Sequence, residues 1–393
     1  MPRDLSPKTT AIARVSATPV NVPVRLEIAG AVRETGLSAV IVEVETEDGL
    51  VGHGFTAITE EEAVAPIVTE LIAPAIVGAD ALATEAIWDR LYWLLTPRGQ
   101  SGYASHAIAA VDLALWDIRG RALGLPVWRL LGGARDSVPL YATCGFPFLD
   151  RDQLVASARS CVAQGFERVK MTVAAEALAR RDAPRDIMAL LREDAARVRA
   201  VREAVGPDVM LFIDANCNLD PFHAAKLAEM VAEARVDLFE EPIAGNDAAA
   251  MADLRRRTGL SLSAGQNEGQ AFRFRDLLSA GAVDLVQPNV AITGGITQCL
   301  KIAGLAHGFG VPIANGGAWP FHNMHLQAGV TNGTLVEWHL PAVALCRTLF
   351  RGLPEPEAGR LRLPDTPGLG FDLDQDAVRD CAARPSARGR GKG

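Results

Sequence analysis

Three short polar motifs close successive β-rich runs of the chain. They are FIDAN (212–216) with Asp214, FEEP (239–242) with Glu240, and SAGQNEG (263–269) with Gln266 and, two residues on, Glu268. The steps from 214 to 240 and from 240 to 266 are 26 residues each, the length of one strand–helix unit. Side chains at equivalent depth on neighbouring strands converge, and a hard cation needs oxygen ligands carried by rigid elements. Gln266 and Glu268 share a strand face, so either completes the set. A network of salt bridges would account for a lone Asp and Glu, but the DAN and FEEP settings at this spacing argue against it. Asn216 follows Asp214 by two residues and faces the same way, onto a bound molecule or as a strand-end cap. In GFERVKMTVA, Lys170 and Thr172 share a face, so Lys170 points inward. An amine beside a dication has a lowered pKa and acts as a base, or else stays charged and clamps an anion.

These residues need a scaffold that brings strand ends together, and the chain supplies one. From about residue 137, eight β-rich runs alternate with helical stretches. The runs are 137–144, 167–173, 209–216, 238–242, 260–265, 282–289, 311–316 and 334–339. Helical stretches such as DQLVASARSCVAQG and DAARVRAVREAVG end in glycine, a usual helix stop. Strands separated by amphipathic helices predict parallel βαβ units, and eight in series predict a closed barrel. The earlier part reads differently. LSAVIVEVETE (37–47) alternates as a strand, DGLVGHG (48–54) reads as a hairpin, and helices are predicted over 60–77, 82–95 and 104–123. The expected division is an α+β capping domain over 1–135, the barrel over 136–345, and a segment over 346–393. That last segment is rich in Pro and Gly and is expected to pack back on the capping domain. Its tail, with Arg384, Arg388, Arg390 and Lys392, reads as a frayed end.

Composition narrows the function classes. The 393 residues are 49% hydrophobic and 22% charged, enough for a large core. A net charge of −8 without a basic stripe argues against nucleic acid, whose phosphates demand clustered Lys and Arg. The six cysteines, at 144, 161, 217, 299, 346 and 381, form no CxxC pair and read as reduced, mostly buried thiols. MPRDLSPKTT lacks an apolar signal region, and no apolar run is of membrane-spanning length. A cytoplasmic location without a membrane partner is expected.

The segment AIAAVDLALWDIRGRALGLPVWRLLGG (107–133) closely resembles a signature of the mandelate racemase and muconate lactonizing enzyme family, in the enolase superfamily. Ala107, Val111, Ala114, Leu115 and Ile118 fall at helical spacing, and small residues there allow close helix contact. The segment is therefore scaffold rather than chemistry. The resemblance continues through FIDAN, FEEP and QPNVAITGGIT (287–297), over roughly residues 35 to 345. It implies a modified TIM barrel, (β/α)7β, with its site at the C-terminal strand ends beneath an α+β capping domain. It also implies Mg²⁺ held by three ligands, which here match Asp214, Glu240 and Gln266. The family's third ligand is a carboxylate, so the neutral amide of Gln266 should hold the ion less tightly and leave it a stronger Lewis acid. A homo-oligomer and a small carboxylic acid substrate are implied as well.

Members of this family abstract a proton from the carbon next to a carboxylate, and electrophilic groups stabilise the enediolate. Lys170 matches the first lysine of the family's KxK motif, with Thr172 in place of the second. Asn289 and Gly316 stand where a His–Asp dyad is usual, and neither titrates. Glu337, in LVEWH, matches the acid of the last strand. The loop NGGAWPFHNMH (315–325) carries His322 and His325, and His322, nearer the strand end, is the candidate for a relocated acid–base group. Asn216, Asn289, Asn315 and Trp319 are candidates for substrate contact. Specificity is expected from capping loops at 21–36 and 52–58, through Arg25, Glu27, Arg33, His53 or Phe55, with Tyr103 and His53 as weaker acid–base candidates. The expected reaction is dehydration of a hydroxy- or sugar acid. Racemisation needs two competent bases, whereas elimination proceeds with one. Epimerisation, racemisation or cycloisomerisation through the same intermediate is the alternative, and a carboxylate-binding relative without turnover is a third reading.

Overall fold

A computed structural model describes residues 10–96, 100–178, 186–382 and 384. The chain opens with a three-stranded antiparallel sheet of β1 (Ile12–Ile28), β2 (Ala31–Thr46) and β3 (Val51–Ala57), in that order. The expected strand at 37–47 and the hairpin at 48–54 are both present. Residues 21–36, read from sequence as a loop, are instead paired strand. Val22, Val24, Leu26 and Ile28 alternate inward, and Ile28 faces Ala31 across a two-residue turn. Ala29 and Gly30 both adopt positive φ, the requirement of a type I′ hairpin turn. Pro19 and Pro23 are tolerated because β1 is an edge strand.

Helices α1 (Glu61–Pro66) and α2 (Ala73–Ile76) flank a π-helical turn, Ile67–Ile72, and α3 (Thr84–Leu95), α4 (Tyr103–Leu123) and α5 (Val127–Leu130) follow. The sheet lies directly on α4. A Cβ on Gly54 would stand 1.8 Å from the Ala110 carbonyl oxygen, and one on Gly52 2.3 Å from that of Ala114. Only glycine permits that approach. Helix α4 also ties the parts of the chain together. The Asp112 carboxylate accepts from Thr297 N at the start of a barrel helix. Asp117 accepts from His53 N, Leu369 N and Arg121. The 107–133 signature is therefore scaffold, as its apolar spacing predicts, and all five of its spaced apolar residues are buried.

The barrel alternates β4 (Ser137–Gly145), α6 (Arg151–Ala163), β5 (Arg168–Thr172), α7 (Ile187–Val205), β6 (Met210–Asp214), α8 (Pro221–Met230), β7 (Leu238–Glu240) and α9 (Ala248–Thr258). It continues through β8 (Leu262–Ala264), α10 (Ala271–Ser279), β9 (Leu285–Val286), α11 (Gly295–Gly308), α12 (Pro320–Gly329), β10 (Val336–His339) and α13 (Leu340–Leu349). The strands are parallel, with β10 beside β4. The seventh predicted run, 311–316, is reduced to Ile313, which bridges to Val286 on one side and Gly333 on the other and so closes the ring. Pro312 has no N–H to extend this pairing. This is an α/β modified TIM barrel under an α+β cap. After it come β11 (Phe350–Arg351), β12 (Arg360–Arg362), β13 (Asp372–Leu373) and α14 (Gln375–Ala382). β12 pairs with β4, and Phe371 O accepts from His53 of the cap. The cysteine thiols are free, and all but the half-buried Cys217 are buried. Of the basic tail, Arg388, Arg390 and Lys392 lie outside the described residues. No helix among those described is long and apolar enough to cross a membrane.

Candidate active site

A cavity of about 320 Å³ opens at the C-terminal ends of the barrel strands. Thr143, Thr172, Asp214, Gln266, Glu337 and His339 line it from the barrel, and Ile58, Gly102, Ser105 and His106 from the cap. Strand register explains the convergence. Thr172 pairs with Asp214, and Asp214 with Glu240, so these residues sit at one level of the ring.

Beneath the cavity floor, Lys170 is the hub. Its Nζ lies 3.0 Å from Asp214 Oδ2, 2.8 Å from Glu240 Oε2 and 3.0 Å from Glu337 Oε1. All four groups are buried. Burial disfavours the ammonium, but the three carboxylates outweigh it and push its pKa well above the usual lysine value. One ammonium cannot balance three carboxylates. Glu240 shows the deficit: burial, and then Asp214, raise its pKa well above the normal range despite Lys170. Its Oε1 has no hydrogen-bond partner. Glu337 is held differently. Burial opposes its charge, yet Lys170, Thr143 Oγ1 and the Ala318 N–H, at 2.7 Å, keep it ionised with a lowered pKa.

The two candidates for the third oxygen ligand have different protein partners. Glu268 is engaged by Arg273, at 3.0 Å, and by Asn246. Gln266 donates its amide to Glu241, at 3.0 Å, and to Asn216. Its Oε1 is left facing Gly317, where a Cβ would stand 3.3 Å away. A divalent cation therefore has two carboxylates, one of them with a bare oxygen, and an oriented amide oxygen to meet. The excess buried negative charge suits it. Among the described residues no three His, Cys, Asp or Glu side chains are grouped to hold an ion by themselves.

Some sequence candidates are not brought to the cavity. Trp319 is fully buried against Phe55. His322 stacks on Phe55 at 4.9 Å and meets the rings of Phe350 and Phe371 edge-on. Burial holds its pKa well below the usual histidine value, and neither ring nitrogen has a partner. Position 322 follows a left-handed turn at 317–319, with φ of 71°, 72° and 63°, which swings the start of α12 inward beneath the cap. Asn289 and Asn315 spend their amides on that turn, donating to the carbonyls of Gly316 and Ala318. They shape the loop rather than reach the cavity. Gly316 is also closed to substitution, since a Cβ there would lie 2.9 Å from both Glu240 Oε1 and Gln287 Nε2. Of the capping candidates, Arg25 pairs with Glu34, Arg33 lies over the Phe148 ring, and His53 and Phe55 are buried. Glu27 and the exposed Tyr103 are not among the lining residues.

Sequence reading missed two histidines that do line the cavity. His339 stands two residues past Glu337 on the same face, and period-two alternation along β10 points to it. His106 hydrogen-bonds Thr56 Oγ1 at 2.6 Å, and burial lowers its pKa to about 4. No local pattern marks His106, because the cap's folding alone carries it over the barrel mouth.

Comparison with known proteins agrees with this architecture. Residues 153–377 match the family model described as enolase C-terminal domain-like, and residues 8–132 match the mandelate racemase / muconate lactonizing enzyme N-terminal domain. L-rhamnonate dehydratase of Saccharopolyspora erythraea is 34% identical over 349 residues, 86% of this chain and 84% of that protein. The 3,6-anhydro-alpha-L-galactonate cycloisomerase of Streptomyces coelicolor is 32% identical over 340 residues, 85% of this chain and 89% of its own. A crystal structure of a racemase from Streptomyces coelicolor with bound magnesium superposes with a TM-score of 0.82 at 29% identity, covering 94% of this chain and 99% of that one. The chain belongs to the mandelate racemase and muconate lactonizing enzyme family of the enolase superfamily.

Proposed function

We propose that the protein is a Mg²⁺-dependent enzyme that removes the proton next to the carboxylate of a hydroxy- or sugar acid and eliminates water. The observation that carries this reading is the charge deficit under the cavity: three buried carboxylates share one ammonium, and Glu240 Oε1 is unpartnered. Asp214, Glu240 and Gln266 would hold the ion. When bound, it would act as a Lewis acid that draws electron density from the substrate carboxylate. Lys170 places a positive charge at the floor of the site. It can take the substrate proton only while its carboxylate partners are engaged elsewhere, because in their company it stays protonated. Glu337, held by three donors, serves as a fixed negative charge that keeps Lys170 in place. Asn216, at the rim, is assigned a hydrogen bond to the substrate.

Elimination is preferred over racemisation because the seventh strand carries no proton-moving group, and Gly316 has no room for one. Cycloisomerisation, the activity named for a 32% identical relative, begins with the same abstraction. Product analysis separates the two. The test is to incubate the enzyme with Mg²⁺ and a panel of acid sugars in deuterated water. A dehydrated keto acid carrying solvent deuterium next to its new carbonyl is expected, and the absence of both keto acid and α-proton exchange with every acid would overturn the proposal.

A further inference from the structure

Most polar groups around the cavity are already committed to protein partners. The Thr143 hydroxyl donates to Glu337, Thr172 to Gly145 O, and Ser105 to Ile292 O. The amides of Gln266 and Asn267 go to Glu241. Glu268 is paired with Arg273. Asn216, His106 and His339 remain. The ring of His106 meets the Thr56 hydroxyl, which can donate or accept, so its tautomer stays open. The partner of His339 allows only one arrangement.

His339 is both the last residue of β10 and the N-cap of α13. Its Nδ1 accepts from the backbone N–H of Ala342, at 3.4 Å. A backbone amide can only donate, so Nδ1 carries a lone pair and the ring proton sits on Nε2. The positive end of the α13 dipole disfavours a second proton on the ring. Phe146 meets the ring edge-on at 5.5 Å and fixes its plane. Nε2, across the ring from the helix, has no protein partner among the described residues, and His339 lines the cavity. The charged groups around it are Glu337, Lys170 and Asp214.

We infer that His339 is a neutral hydrogen-bond donor to the bound acid, presenting Nε2–H to an oxygen of the substrate that gains negative charge during the reaction. The inference rests on the function proposed above. It assigns to the eighth strand an electrophilic role that the amide of Asn289 and the bare Gly316 leave unfilled. The ring moves no proton. It stabilises charge without becoming an imidazolium, because protonation at Nδ1 would break the bond to Ala342 and oppose the helix dipole. Burial, which also keeps the ring neutral, points the same way.

Two variants test this with the acid that shows exchange. His339→Ser keeps an oxygen able to cap α13 but loses the donor. His339→Asn keeps both a cap and a shorter N–H donor. The expected result is a kcat lowered on the order of 100- to 1000-fold in His339→Ser, as for loss of one preorganised donor to a developing oxyanion. His339→Asn should recover part of that loss. Mg²⁺ affinity, melting temperature and the shape of the pH profile should match the unaltered enzyme. Unchanged turnover in His339→Ser overturns the inference, as does the disappearance of one limb of the pH profile, which would make the residue an acid or base. A fall in melting temperature that accompanies the loss of activity in both variants also overturns it, by making the side chain only a helix cap. If the unaltered enzyme turns over no acid at all, the proposed function fails and this assignment falls with it; exchange at the unaltered rate in His339→Ser overturns this assignment alone.

Discussion

Two clusters of buried titratable side chains lie close to the barrel mouth, and they solve burial in opposite ways. Around Lys170, three buried carboxylates converge on one ammonium at 2.8 to 3.0 Å. Beneath the cap, His322 is packed among Phe55, Phe350 and Phe371, His325 is buried with a bond to Leu369 O, and three of their four ring nitrogens lack any partner. Burying a charge is costly unless it is paired, whereas a histidine can shed its proton and enter an apolar setting neutral. The first cluster therefore stores an electrostatic imbalance that a cation and an anionic substrate can relieve. The second has nothing to relieve and works as packing. Titratable residues mark function where their charge is retained under burial, and much less where burial has removed it.

The difference can be broken at its charged end first. Asp214→Asn and Glu240→Gln each delete a formal charge from the proposed ion site. Both should abolish calorimetric Mg²⁺ binding and α-proton exchange while the barrel stays folded. An unchanged Mg²⁺ titration in both variants would remove the metal assignment.

Lys170→Ala leaves three carboxylates buried without their ammonium. Breaking a buried ion pair by removing one partner costs about 3–5 kcal/mol, so the variant should melt well below the unaltered protein in chelator. Saturating Mg²⁺ should restore part of the stability, and kcat should remain at least about 100-fold down. Equal melting temperatures in chelator would show that the carboxylates take up protons and that the lysine does not hold them ionised.

The neutral cluster should reveal itself in acid. Burial depresses the pKa of His325 to about 4, while the unfolded side chain titrates near 6.5. Between those values the unfolded chain binds the proton and the folded one does not. Stability is therefore full above about pH 6.5 and falls as the pH drops toward 4, by about 3 kcal/mol for this residue alone. His322, shifted in the same direction, steepens the loss. Denaturant titrations at several pH values check the slope, and a flat profile from pH 6.5 to 4 would contradict the assignment. His322→Phe should make the loss less steep while keeping the part due to His325, leave turnover untouched, and raise stability at neutral pH by about 1 kcal/mol because two unpartnered ring nitrogens are removed. Loss of exchange in that variant would bring His322 back as an acid–base group.

The smallest expected effect is at Gln266. Gln266→Glu adds a charge beside the proposed ion and should tighten Mg²⁺ on the order of tenfold, or about 1.4 kcal/mol, while lowering turnover of an anionic substrate. Glu268→Gln should leave Mg²⁺ affinity alone, since Glu268 already serves Arg273. The reverse pattern would exchange the two assignments.

The linear chain determined whatever depends on period and spacing. Apolar alternation and helical repeats announced the barrel, the cap and the scaffold role of residues 107–133. Strand-end positions placed Asp214, Glu240, Gln266 and Glu337 at the mouth, because parallel strands in register carry equivalent residues to equivalent depth. The hairpin over 21–36 was also legible, in the alternation of Val22, Val24, Leu26 and Ile28, although prolines and the expectation of a loop obscured it. Only the tertiary structure decided which polar atoms were spent and which were free. Glu268 and Gln266 are two residues apart, yet one meets an arginine and the other gives its amide to Glu241. His322 was led away from the cavity by three consecutive left-handed residues, a backbone path that non-glycine residues at 318 and 319 do not announce. His106 reaches the site from α4 of the cap, across from the barrel strands that carry the other polar groups. Hydrogen-bond partnership and burial arise between segments distant in the chain, and local pattern carries no record of them.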